Sequence, residues 1–278
     1  MKDIGVKLSL GRVSHYEKIV RYWKDKYKTA SVDEGKEIFP DFVSSIFEIR
    51  DFIDIYDAFK DVPVNKLSSI IEKLQKGVNG PINSAEEDTN STIARNFIFE
   101  AVVAARSHRP GNGTEVILNA ESDTGIRMGN KKVWVECKRI TTPEKIYDNV
   151  RKASSQLERL LRKKAGSGHR GIVAIDISKI LNSGDKIHVA DTYEQINSSA
   201  ATIMDRFIDQ YSTEWERVYK RRNKKIIGTI IRFAYMSVSE VNEIFVHTMQ
   251  WAVNPRIGIS ASDNDLQRSL VTMLNNEM

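Results

Sequence analysis

Between Lys131 and Ile140 the chain reads KKVWVECKRI, and the alternation inside it calls for a β-strand. Val133, Val135 and Cys137 interleave with Trp134, Glu136 and Lys138, a period of two. On a strand, residues i and i+2 leave the same face. A carboxylate and an ammonium therefore project together from one side of a sheet. Val133, Val135 and Cys137 turn to the other side, toward a core, which makes Cys137 a packing residue rather than a nucleophile. Trp134 shares the Glu136 face and is expected beneath a helix.

The elements around this strand follow from periodicity. Residues 12–77 read as mainly helical: Tyr16, Ile19, Val20 and Trp23 recur at helical spacing, then Phe42, Ile46, Ile49, Phe52, Ile53 and Tyr56, then Leu67, Ile70, Ile71 and Leu74. The stretch 77–90, GVNGPINSAEEDTN, is rich in turn formers and acids and reads as a linker. It divides a helical region, 1–80, from a second region, 91–278. Within the second, a helix is expected at 91–107, a break at Arg109–Gly113, and strands at 114–119, 123–128 and 132–139. Thr142-Pro143 signals a helix start, with a capping hydroxyl and proline at the first helical position. Ile146, Val150, Ala153, Leu157 and Leu160 form its apolar stripe, and Gly166-Ser-Gly168 stops it. GIVAIDI at 171–177 reads as a buried strand. A helix at about 191–220 and strands near 226–236 and 243–252 complete an α/β fold with a mixed sheet.

Several classes are excluded. A single cysteine rules out an internal disulfide framework and a cysteine-rich zinc site. The five histidines have no metal-ligand spacing, and Walker-type glycine loops and G-x-S-x-G elbows are missing. No apolar run approaches the roughly 20 residues of a membrane span. MKDIGVKLSLGR has no secretory apolar core, so a cytoplasmic location and no membrane partner are expected. The net charge of +5 leans toward a polyanionic partner.

Asp123 precedes Glu136 by thirteen positions and opens the preceding strand, where it can lie beside Glu136. Two carboxylates on adjacent strands supply hard oxygen ligands for Mg²⁺ or Mn²⁺, and the carbonyl of Cys137 adds another oxygen. In RNFIFEAVVAAR only Asn96 and Glu100 are polar between Asn96 and Ala105, and they share a face at i and i+4. A carboxylate in so apolar a helix is costly unless paired or bound to metal. Asn149, Lys152, Gln156 and Arg159 form a polar stripe on the helix after the strand. Each residue also has a plainer reading. Glu136 and Lys138 fit a charge pair on a solvated face, Asp123 a turn before Thr124-Gly125, Glu100 a narrow solvent stripe, and Gln156 an exposed helix position. The basic runs 159–170 and 217–225 offer Arg159, Lys163, Lys164, Arg221 and Arg222, with Lys152, as phosphate contacts.

The order Glu100, Asp123, Glu136-x-Lys138, Gln156, on helix, strand, strand and helix, resembles the restriction-endonuclease-like PD-(D/E)xK superfamily across about Ser91 to Ile177. The resemblance implies an αβββαβ core in which Asp123, Glu136 and Glu100 hold Mg²⁺ or Mn²⁺, Lys138 assists the reacting phosphate, and Gln156 positions water or backbone. Two departures stand out: Ser122 rather than proline precedes Asp123, and Leu160 stands where some exonuclease branches place tyrosine. The expected activity is metal-dependent cleavage of nucleic acid by a deoxyribonuclease, with an endonuclease favoured, used in restriction or antiviral defence against foreign DNA. The N-terminal helices would then serve specificity, homodimerisation or docking of a partner protein. The alternative is a catalytically inactive nuclease-like protein that binds nucleic acid or assembles a complex.

Overall fold

Ser31 caps a 28-residue helix through a capping box, its Oγ accepting from the Glu34 amide while the Glu34 carboxylate accepts from the Ser31 amide. That helix, α2 (Val32–Phe59), follows α1 (Arg12–Lys26) and precedes α3 (Ser68–Gly77) and α4 (Ile93–Ser107). The computed structural model describes residues 6, 11–83, 86–88, 91–109, 113–118, 120–182 and 186–276. Residues 1–5 and 7–10, part of the expected linker (84, 85, 89 and 90), 110–112 of the expected break and 119 of the first expected strand lie outside them.

From α4 the order is β1 (Thr114–Ile117), β2 (Thr124–Met128), β3 (Lys131–Arg139), α5 (Ile146–Lys163) and β4 (His169–Asp176). Helix, three strands, helix, strand is the expected order. A 3₁₀ turn over Pro143–Lys145 leads into α5, and the Thr142 hydroxyl makes no cap hydrogen bond, contrary to the expectation for that residue. After β4 come α6 (Ser178–Leu181), β5 (Ile187–Ala190), α7 (Tyr193–Tyr219), β6 (Ile226–Ser239), β7 (Ile244–Pro255) and α8 (Ala261–Asn275).

The strands form one mixed seven-stranded sheet, ordered β1-β2-β3-β4-β6-β5, with β7 also paired to β6. β1, β2 and β3 run antiparallel in sequence, and β3–β4, β4–β6 and β5–β6 are parallel. Since β7 lines one side of β6 along Gly228–Ser239, β4 and β5 share the other. Helices cover both faces. Val133, Val135 and Cys137 pack with Ile98 and Val102 of α4, Phe52 of α2 and Leu74 of α3. Trp134, Val173 and Ile175 pack with Val150, Ala153 and Leu157 of α5 and Ala200 and Met204 of α7. Among the described residues no helix is long and apolar enough to cross a membrane.

The first core spans the expected linker. Phe52, Ile55, Leu67, Ile70, Leu74 and Ile98 belong to the same apolar cluster as the sheet. The linker itself is pinned: the Ile82 carbonyl accepts from Tyr16 Oη (2.6 Å) and Arg95 Nη2 (3.1 Å), and buried Glu87 pairs with Arg139 at 2.9 Å. Polar groups carry much of this junction. Arg12 and Arg95 flank Glu48, Arg106 and Arg50 reach Asp54, and Arg232 bridges Asp51 to Asp176, which also accepts from Arg139. The apolar face expected for α2 is rotated accordingly. Ile53 and Tyr56 are exposed, while Glu48 and Asp54 are buried among their arginines.

Candidate active site

Two hydrogen bonds set α4 across the ends of β2 and β3. Thr124 Oγ1 donates to the Glu100 carbonyl (3.1 Å), and the Arg139 amide donates to Asn96 Oδ1 (2.9 Å). Glu100 is thereby held over the start of β2 and the end of β3. Its Oε1 accepts from Asn96 Nδ2 at 2.8 Å, the i, i+4 partnership that the sequence places on one face. Its Oε2 pairs with Lys73 of α3.

The β2–β3 register pairs Thr124 with Val135, and carrying it back one residue sets Asp123 opposite Glu136. Asp123 lies in the bend before β2, and its Oδ2 accepts from the Cys137 amide at 2.8 Å. Lys138 Nζ stands 3.6 Å from Asp123 Oδ2 and 3.8 Å from Glu136 Oε2, and donates to the Cys137 carbonyl at 2.9 Å. Asp123, Glu136 and Lys138 thus converge, with Glu100 close enough for its charge to act on Glu136.

The plainer readings of Glu136 and Glu100 fail on burial, since each residue is only about 4% exposed. Burial disfavours the charged form, and a neighbouring carboxylate adds to it. Removal from water, then the Asp123 charge, pushes Glu136 up to about 8, while Lys138 opposes the shift. The same two causes push Glu100 up to about 7, opposed by Lys73. Glu136 Oε2 is buried with no hydrogen-bond partner. The Cys137 thiol lies in the core, and burial raises it well above its ordinary range, as expected of a packing residue.

These shifts have a signed consequence. An unfolded carboxyl releases its proton near 4.5, whereas folded Glu136 keeps it to about 8. Its contribution to stability is present below about 4.5 and lost as pH rises through about 8. Glu136→Gln is therefore expected to stabilise the metal-free protein at alkaline pH, by on the order of 2 kcal/mol or roughly 5 °C in Tm, with no gain in acid. Calorimetry in EDTA near pH 5 and pH 9 checks this. A lower Tm for the variant in alkali contradicts it.

No hydrogen bond ties Gln156 to the cluster among the described residues. It is half-buried, and its neighbours Leu157 and Leu161 on α5 lie against Gly171, whose partner on β3 is Trp134. Trp134 packs beneath α5 as expected, donating Nε1–H to His169 Nδ1 at 3.0 Å. Lys152, Arg159, Lys163 and Arg221 are exposed. Lys164 lies over the Trp134 ring and pairs with Glu121, and Arg222 pairs with Glu158.

Lys73 is the site residue that sequence patterns do not reveal. It lies in a short amphipathic helix, SSIIEKLQKG, 27 positions before its partner Glu100. Lys73 and Asp123 both line a cavity of about 180 Å³ between α3, α4 and the first two strands. No protein-family model, curated protein or solved structure matches this chain.

Proposed function

We propose that this protein is a metal-dependent phosphodiesterase of the PD-(D/E)xK type that cleaves nucleic acid, with DNA as the substrate. One observation carries the reading: Asp123, in the bend that opens β2, meets Glu136 and Lys138 of the antiparallel strand β3 in a single cluster below buried Glu100. Paired acids supply the hard oxygens that hold a divalent ion, and a lysine two positions on offers a cation to the phosphate that the ion polarises.

The donor set fits Mg²⁺ or Mn²⁺. Its atoms are hard oxygens, Glu136 Oε2 is buried and accepts no hydrogen bond, with Lys138 Nζ 3.8 Å away, and the mutual repulsion of the acids is what a cation relieves. Asp123 and Glu136 would hold the ion, with the Cys137 carbonyl beside them. Glu100, whose oxygens are taken by Lys73 and Asn96, contributes its charge. When bound, the ion supplies a water of lowered pKa and polarises the phosphate. Lys138 donates from its ammonium to the phosphate oxygens as they gain charge. Asn96 keeps Glu100 and the end of β3 in fixed relation, and burial limits water around the reacting atoms.

One finding favours a second reading, a nucleic-acid-binding protein without catalysis. Among the described residues no group of three acidic, histidine or cysteine side chains forms a ready metal cage. Incubation with plasmid and linear DNA separates the two. Cutting that needs Mg²⁺ or Mn²⁺ and stops in EDTA is expected, whereas binding without cutting under any divalent ion favours the second.

A further inference from the structure

The cavity beside Asp123 is walled on one side by two cations and on another by an aromatic ring. Lys73 and Lys76 come from α3, Phe97 from α4, and Ile117 and Ala120 from around β1. Lys76 Nζ lies 4.9 Å above the centre of the Phe97 ring and covers that face until it turns to a phosphate. Asp123 belongs to the same lining, which makes the cavity continuous with the carboxylate cluster. Glu72 also lines it and pairs with Lys76, but both side chains are about half exposed (64% and 49%), so that pair opens at little cost.

We propose that this cavity is a nucleotide subsite of the substrate strand. Lys76, with Lys73 behind it, receives the phosphate next to the one that reacts, and Phe97, Ile117 and Ala120 receive the base attached to it. Stacking on an aromatic face tolerates any base, and a lysine acts on a phosphate as a point charge. A cavity of about 180 Å³ takes one base, with its sugar and phosphate at the mouth, and excludes a base pair, so the strand entering it is unpaired there. The helical region thereby supplies part of the substrate site. The proposal rests on the nuclease reading for the identity of the reacting phosphate, and its test is independent of cleavage.

A labelled single-stranded oligodeoxynucleotide of about eight nucleotides is titrated into the full chain in EDTA, with Lys76→Glu, Lys76→Arg and Lys60→Glu variants. Lys60 is an exposed lysine at the end of α2 and controls for net charge. The expected result is a Kd raised about tenfold or more in Lys76→Glu, the scale of one charged hydrogen bond, and near the parent value in Lys76→Arg and Lys60→Glu. A 4-thiothymidine in the strand is expected to photo-crosslink to the α4 peptide that contains Phe97. Equal losses in Lys76→Glu and Lys60→Glu, no binding by the parent, or crosslinks only outside α3, α4 and β1 would overturn the subsite. A chain that binds in this pattern and cuts nothing keeps the subsite and loses the nuclease reading.

Discussion

Lys138→Ala is expected to lower DNA cleavage by about 10³-fold while leaving the fold intact. The ammonium lies 3.6 Å and 3.8 Å from the Asp123 and Glu136 carboxylates, and no other cation pairs with these two acids among the described residues. Removing it takes away the donor aimed at the developing phosphate charge, an effect on the order of 10²–10³ for a single donor. It also takes away the charge that holds Glu136 down, so a larger share of Glu136 stays protonated near neutral pH. Lys138 is partly exposed near the end of β3, and its one hydrogen bond goes to an adjacent carbonyl, so Tm should stay within a few degrees. Single-turnover rates on linear DNA, with Tm measured alongside, test this. Lys138→Arg is expected to restore little, because a planar fork does not replace a compact ammonium. A variant that cuts like the parent would remove Lys138 from the site.

Asp176→Ala is expected to have the largest effect on stability, about 4 kcal/mol, lowering Tm by roughly 10 °C. Asp176 is fully buried and accepts from Arg139 Nη1 (2.8 Å), Arg232 Nη1 (3.2 Å) and both the amide and hydroxyl of Ser178 (2.9 and 2.6 Å). Alanine leaves two buried guanidinium groups short of an acceptor, and breaking one partner of a buried pair costs far more than the pair contributes. Despite burial, the adjacent arginines hold the Asp176 carboxyl below its usual range. Its contribution is therefore present above about pH 4 and lost as pH falls through the lowered folded value. Denaturant unfolding at neutral pH measures the loss. Because Arg232 also holds Asp51 of α2, the variant should loosen the helical region together with the sheet. A change below about 1 kcal/mol would show that the network is not what joins them.

The sheet-side architecture was legible because its signals are local. Alternation marks β3, a closed apolar run marks β4, and the i, i+4 stripe from Ile146 marks α5. Asp123, Glu136 and Lys138 were legible for the same reason, since strand pairing carries a local pattern into a shared place. What escaped depends on partners distant in sequence. Lys73 is an ordinary lysine until α3 docks on α4. Asp176 and Arg232 sit inside apolar strands, GIVAIDI and IIGTIIRFAYM, where a lone charge implies a buried partner without identifying it. The exposure of Ile53 and Tyr56 follows from that same hidden pairing, because Glu48 and Asp54 turn their own face of α2 inward. β5 has only four residues. α8 carried a usable signal, a Ser260 cap ahead of Leu266, Leu270 and Leu274 at helical spacing.

Mn²⁺ titration by calorimetry tests the central claim most directly, because it asks whether Asp123 and Glu136 form one ion site without depending on the choice of substrate. The parent is expected to bind Mn²⁺ with release of protons near pH 7, as Glu136 and Glu100 give up protons they hold to about 8 and about 7. Asp123→Ala is expected to abolish that binding. A parent that binds no Mn²⁺, or an Asp123→Ala variant that binds it unchanged, would contradict the assignment of the cluster as a metal-dependent catalytic site.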